Sequence, residues 1–363
     1  MAWLLAAAPS AVQEARSDNT LIALTTVGYT CPYPLLRNPP LRVPTRAFPS
    51  PPAPMDTAPR PPVSMLEERL RSGSFVITAE VTPPASFRAQ DLLERALPLR
   101  GLVDAVNVTD GASARAHLSA PIAAALLARE GLEPVLQLTC RDRNRIALEG
   151  ELIGAAVCGV RNILCLTGDD PKAGDQPETK AVFDIDSATL TRIARDLRDQ
   201  AMLPSGRKVT GSAQFFLGAA DVPIDPPPGW HPDKLAAKVE AGAQFAQTQF
   251  CMDVEIVRRY AARLREHAAL REFFLLIGVA PLRSAKSARW MQQHLYGTII
   301  PDALVQRLER AVDPAAEGER ICVELIEELA AIPGVAGVHV MAPANESALP
   351  GVIAEVRRRL RQR

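Results

Sequence analysis

The stretch "GVRNILCLTGDDP" (159–171) decides the fold. Its apolar run, Asn162 to Leu166, is too short for a helix and lies between two glycines, so it reads as a buried strand. The strand ends on Thr167, Gly168 and Asp169 rather than on an ordinary polar turn. Working outward, the same unit recurs. Toward the N-terminus lie "PVLQLTC" (134–140), "VDAVNVT" (103–109) and "FVITAEV" (75–81). Toward the C-terminus lie "VTGSAQFF" (209–216), "FAQTQF" (245–250), "FFLLIGVAP" (273–281) and "VAGVHVMAP" (335–343). A segment of helical periodicity follows each one, and "DALVQRLERAV" (302–312) is an extra helix before the last unit. Eight strands alternating with helices imply parallel pairing, because parallel neighbours need crossovers. With no break in composition, the expected fold is α/β, a single (β/α)8 TIM barrel over 66–363. An open doubly wound sheet is the runner-up, but no G-x-G-x-x-G follows the first strand.

The first 62 residues differ in kind. They hold thirteen of the 32 prolines and little apolar periodicity, so they read as a disordered Pro-rich tail. Three origins are open: an over-long start, with Met55 or Met65 as the natural one, a targeting segment, or a weak signal-like "MAWLLAAAPS".

The chain has 41 basic and 41 acidic residues and a formal net charge of zero. That balance argues against nucleic-acid or acidic-membrane partners. No apolar run approaches a membrane span. The terminal "RRRLRQR" (357–363) reads as a solvated helix end. Six scattered cysteines without C-x-x-C spacing read as reduced, mostly buried thiols of a cytoplasmic protein.

In a barrel the site is built from strand ends. Those ends offer Glu80, Thr109, Asp110, Gln137, Thr139, Cys140, Thr167, Gly168, Asp169, Gln214, Gln249 and Asn345. This rim is polar and mostly uncharged, suited to a large ligand held by amides and hydroxyls rather than to a metal. His117, His231, His267 and His294 fall near helices or loops, and His339 reads as a satisfied core histidine. Asp170 reads as a loop cap, Cys140 and Cys251 as packing, and Trp290 and Met291 as core or interface. Glu80 interrupts an apolar strand, where a carboxylate is costly unless paired or protonated. It is either a salt bridge at the rim or a general acid whose pKa is raised by apolar surroundings.

Taken in order, "FVITAEVTPP", "VDAVNVTDGASARAHLS", "QLTCRDRN", "GVRNILCLTGDDP", "VFDIDS" and "KVEAGAQFAQTQFCMD" resemble the methylenetetrahydrofolate reductases. "CRDRN" and "VFDIDS" are most similar to the branch fused to homocysteine methyltransferase domains. The resemblance implies an FAD-containing barrel that reduces 5,10-methylenetetrahydrofolate to 5-methyltetrahydrofolate. It implies Glu80 as the general acid opening the methylene bridge, Asp169 as the charge beside the flavin, and Gln249 as a pterin contact. Thr109, Gln137, Leu166, Thr167, Gly168, Asp169, Phe183, Asp184, Ala219, His231 and Lys238 match flavin-contacting positions. Many relatives have His at Gln137 and Arg at Thr167, and a stacking Phe near Ala285. The electron donor therefore stays open between NADH, NADPH and a partner protein, as does a homo-oligomer. Two alternatives stand beside this reading. One is a folate-binding barrel methyltransferase without flavin. The other is a partner-dependent subunit of a reductase complex.

Overall fold

Eight parallel strands close on themselves in chain order, β1 hydrogen-bonding to both β2 and β8. They are β1 (Val76–Val81), β2 (Ala105–Val108), β3 (Pro134–Thr139), β4 (Asn162–Leu166), β5 (Phe216–Asp221), β6 (Phe245–Phe250), β7 (Phe274–Val279) and β8 (Val335–Val340). Eleven α-helices accompany them: α1 (Met65–Arg71), α2 (Ala89–Ala96), α3 (Ala120–Arg129), α4 (Arg145–Val157), α5 (Ser187–Gln200), α6 (Asp233–Ala241), α7 (Val254–Glu266), α8 (Ala285–His294), α9 (Asp302–Arg310), α10 (Pro314–Leu329) and α11 (Leu349–Leu360). These counts hold for residues 60–343 and 345–362, the part of the chain that this computed structural model describes. The expected (β/α)8 barrel is thus present, with α9 as the extra helix before the last unit. The expected disordered tail lies outside the described residues except for its last three. There, Arg60 donates to the Phe215 carbonyl and pairs with Glu67.

The strands alternate between two environments. One set of side chains faces the helices and forms the large outer core. The other set points into the barrel, and its lower layer is Val76, Ala105, Val135, Leu164, Phe216, Phe245 and Leu276. Phe216 and Phe245 stack there with centroids 4.8 Å apart. Helix α1, which the sequence pattern did not reveal, closes this end with Leu66 and Leu70. Ser64 caps it by accepting from the Glu67 amide, and Ser64 Oγ donates to Asn162 Oδ1 at 2.7 Å. With the N-terminal mouth plugged by apolar side chains, the interior becomes polar only toward the strand C-termini.

The fifth strand departs from expectation. "VTGSAQFF" (209–216) runs as irregular chain, with Gly211 at φ +93, and β5 begins at Phe216. Gly and Ser interrupt the β-branched start, while the true strand, FLGAAD, is rich in Gly and Ala and has weak strand propensity. Gln214 therefore precedes the strand, at the closed end, where it accepts from Arg161.

Candidate active site

The open end of the barrel holds a cavity of about 770 Å³, in the upper range for small-molecule sites. Its floor is set by the inward positions of the strands. On β1 the inward series is Val76, Thr78 and Glu80, so a carboxylate rises into the cavity above the buried Thr78 hydroxyl, with the apolar layer one step lower. Gln137 Nε2, from β3, donates to Glu80 Oε2 at 2.9 Å. From β8, His339 Nε2 lies 3.7 Å from the same oxygen, with His339 only 3 % exposed.

The environment moves Glu80 the opposite way from the sequence expectation. Burial pushes its pKa up, but the imidazole of His339 and the Gln137 amide outweigh it, holding the carboxyl below its usual value. The burial is real, but the donors at its own level are stronger.

Asp169 follows β4 and is exposed at the cavity wall, where its charge helps to raise the pKa of buried Arg141. The largest cause of that rise is Asp142, which accepts from Arg141 Nε and Nη2 at 2.9 and 2.8 Å. Gly168 sits at φ +94, and a side chain there would press on Arg141 Cβ and Thr139 Cβ at 3.0 and 3.2 Å. Glycine is thus required by the turn itself and by the Arg141 stem behind it. Asp170 caps the short 3-10 turn Pro171–Ala173 by accepting from the Lys172 amide, the loop role read from sequence.

Asp110 is structural. It accepts from the Thr139 amide and hydroxyl, both at 2.9 Å, and forms a two-pronged pair with Arg143 at 2.7 and 3.1 Å. This clamp ties the end of β2 to the loop after β3. It consumes the Thr139 hydroxyl, while the buried Thr109 Oγ1 at the cavity wall faces the Glu80 carboxylate and helps to hold it below its usual pKa.

Of the other predicted residues, Leu166, Thr167 and Gly168 line the cavity, as do Lys238 and Gln249. Thr167 Oγ1 donates to Ser187 Oγ at the start of α5. Lys238 donates to the Ala220 carbonyl, and Gln249 Nε2 to the Tyr296 carbonyl at 3.2 Å. Four predicted residues do not line it. Ala219 faces away from the interior, and its neighbour Ala220 lines the wall instead, a one-residue register difference. Phe183, at φ +39, and Asp184 belong to the loop before α5; Asp184 accepts from the Arg145 amide at the start of α4. His231 is exposed ahead of α6.

Sequence reading missed several wall residues: Arg141, Trp290, Met341 and Glu346. Trp290, read as core or interface, is half-exposed at the cavity and stacks on His294 at 5.1 Å. Cys165 lines the cavity as well, but burial pushes its thiol up to about 12, as it does for Cys140, so neither supplies a thiolate near neutral pH. Among the described residues no three His, Cys, Asp or Glu side chains are grouped to hold a metal.

A family model described as methylenetetrahydrofolate reductase matches residues 65–357. The chain belongs to the methylenetetrahydrofolate reductase family. Methylenetetrahydrofolate reductase 2 of Schizosaccharomyces pombe is 29% identical over 233 residues, which cover 61% of this chain and 35% of that protein. The 5,10-methylenetetrahydrofolate reductase of Salmonella typhimurium is 27% identical over 227 residues, covering 60% of this chain and 68% of that one. The chain thus matches 35% of the length of the fission-yeast methylenetetrahydrofolate reductases. Among solved structures, a protein from Clostridium thermocellum described as binding two copies of 5-methyl-5,6,7,8-tetrahydrofolic acid aligns with TM-score 0.55 at 13% identity. The alignment covers 80% of this chain and 97% of that one, and it shows the shared barrel.

Proposed function

We propose that the chain reduces 5,10-methylenetetrahydrofolate to 5-methyltetrahydrofolate in this cavity, with FAD bound beside the folate. The observation that carries the reading is Glu80, a carboxyl group standing on the barrel interior and held by Gln137 at the level of the cavity. The residues suit a flavin. Gly168 presents bare backbone, Thr109 brings a hydroxyl to the wall, and amide and hydroxyl groups stand there in place of metal donors. Thr109, Gln137, Leu166, Thr167, Gly168 and Lys238 would hold it, with Phe183, Asp184, Ala219 and His231 as outlying contacts. Bound reduced FAD supplies the hydride for the folate methylene carbon.

The chain's own groups do the rest. Glu80 delivers a proton to N10 of the folate, opening the methylene bridge to a cationic iminium. Asp169 places a negative charge by that cation. Gln249 offers its amide to the pterin. Because His339 and Gln137 favour the carboxylate, Glu80 starts ionised and must take up a proton before each turnover. Ligands that displace water from the cavity strengthen the burial effect that already pushes it up.

NADH, NADPH or an electron-carrying partner protein supplies the electrons, in a cytoplasmic setting and as monomer or homo-oligomer. "CRDRN" and "VFDIDS" favour the branch fused to homocysteine methyltransferase domains. The test is anaerobic. The flavoprotein is reduced by NADH and NADPH in turn, then mixed with methylenetetrahydrofolate. Reoxidation of the flavin with formation of methyltetrahydrofolate is expected. A chain that binds no flavin, or whose reduced flavin ignores the folate, overturns the proposal.

A further inference from the structure

His339 and Thr78 are register partners across the β1–β8 seam that closes the barrel. Their side chains meet inside it: Thr78 Oγ1 lies 3.0 Å from His339 Nδ1. Below them is an amide pair. Gln247 Nε2 donates to Thr78 Oγ1 at 3.0 Å and to Asn107 Oδ1 at 2.9 Å, while Gln247 Oε1 accepts from Asn107 Nδ2 at 2.6 Å. Thr78, Asn107 and Gln247 are all buried.

With the two amides oriented this way, the hydrogen bonds favour one histidine tautomer. Both Gln247 amide hydrogens are used, one of them on Thr78. Thr78 keeps a single hydroxyl hydrogen with two acceptors in reach, His339 Nδ1 at 3.0 Å and the Val338 carbonyl at 3.4 Å. The nearer acceptor takes it. A neutral ring that accepts at Nδ1 carries its hydrogen on Nε2, the nitrogen 3.7 Å from Glu80 Oε2. The other groups facing Glu80 are the Gln137 amide from β3, Thr109 from the end of β2, and the Glu346 carboxylate beyond β8, which pairs with Arg95 at 3.4 Å. Among the described residues His339 is the basic group paired with Glu80.

We propose that His339 is the positioning residue of the acid: it aims an Nε2 hydrogen at the Glu80 carboxylate, fixes its orientation, and sets the pH at which Glu80 holds its proton. The Thr78–Gln247–Asn107 floor does the same for His339. The proposal rests on the reading of Glu80 as the acid, and its test separates the two.

The protonated carboxyl band of Glu80 is followed by infrared titration of the protein alone, assigned by its loss in Glu80→Gln. In parallel, reoxidation of the reduced flavoprotein by methylenetetrahydrofolate is measured against pH. In His339→Leu the band should persist to higher pH and the high-pH limb of the rate should move the same way. The plateau rate should fall roughly tenfold, the cost of a misaligned donor. His339→Gln, whose amide can still donate, should recover most of the plateau but keep the displaced limb. Thr78→Val leaves the imidazole in place and should shift band and limb in the same direction by less, so the test survives a His339→Leu chain that does not fold. An unmoved band and limb in the folded variants overturn the proposal while leaving the acid reading intact. Near-normal folate reduction by Glu80→Gln removes the acid reading, and the positioning role with it.

Discussion

The donors around Glu80 hold its carboxyl below the usual carboxylate value, and that fixes what its replacement does. Glu80→Gln keeps the shape and the Gln137 contact but has no proton to give. Electron uptake from the donor should persist, while the folate half-reaction falls by about 10²–10⁴-fold, the usual worth of a general acid. Rapid-mixing absorbance of the flavin separates the two half-reactions, and near-normal folate turnover removes the assignment. The linkage has a definite sign. Because the folded value of Glu80 lies below its ordinary one, its ionisation stabilises the fold above the ordinary carboxylate range, and that contribution is lost as the pH falls through the folded value. The Gln variant should therefore lose less stability than the parent between neutral and acid melts. Asp169 is exposed, so solvent screens its charge. Asp169→Asn should keep FAD and slow the folate half-reaction by about tenfold, and an unchanged rate would leave Asp169 as a wall residue. Glu80 was legible because a carboxylate in an apolar run demands a reason. His339 was not, because its partner lies across the seam, and a lone histidine in a strand looks the same whether it faces packing or a carboxylate.

At the scale of elements, legibility followed side-chain chemistry. Strand β6, "FAQTQF", matched residue for residue, because aromatic residues with strong strand propensity mark both of its ends. Strand β5 slipped because Gly and Ala carry little strand signal, and the slip placed Gln214 at the wrong mouth. Helix α1 escaped notice because seven residues barely make two turns, and its stability comes from where it docks. That docking is testable. Leu66 is fully buried among the lower barrel residues, so Leu66→Ala should cost about 2–5 kcal/mol. Urea denaturation should show the loss with an unchanged visible spectrum of bound flavin, since the cavity lies at the other end. A cost well below that range would mean that α1 lies on the barrel without sealing it.

At the scale of the whole molecule, closure of the sheet makes one cooperative wall with no exposed edge. The thiols report on it. Of the five free cysteines among the described residues, Cys158 is exposed, while Cys140, Cys165, Cys251 and Cys322 are buried. Burial pushes all four buried thiols up to about 12, so they are poor nucleophiles as well as inaccessible. Cys140 and Cys165 border β3 and β4 near the cavity, Cys251 follows β6, and Cys322 lies in α10, so the set samples the barrel around much of its circumference. A wall that opens as a unit should expose all four together. In native buffer, a thiol reagent with mass-spectrometric readout should modify Cys158 rapidly and leave the other four unlabelled. Their labelling in low urea should proceed at one shared rate that tracks global unfolding. Early, separate labelling of Cys165 would locate a local opening at the cavity wall, and bound folate should then suppress it. If all four label quickly in buffer, the closed barrel does not behave as a single cooperative wall.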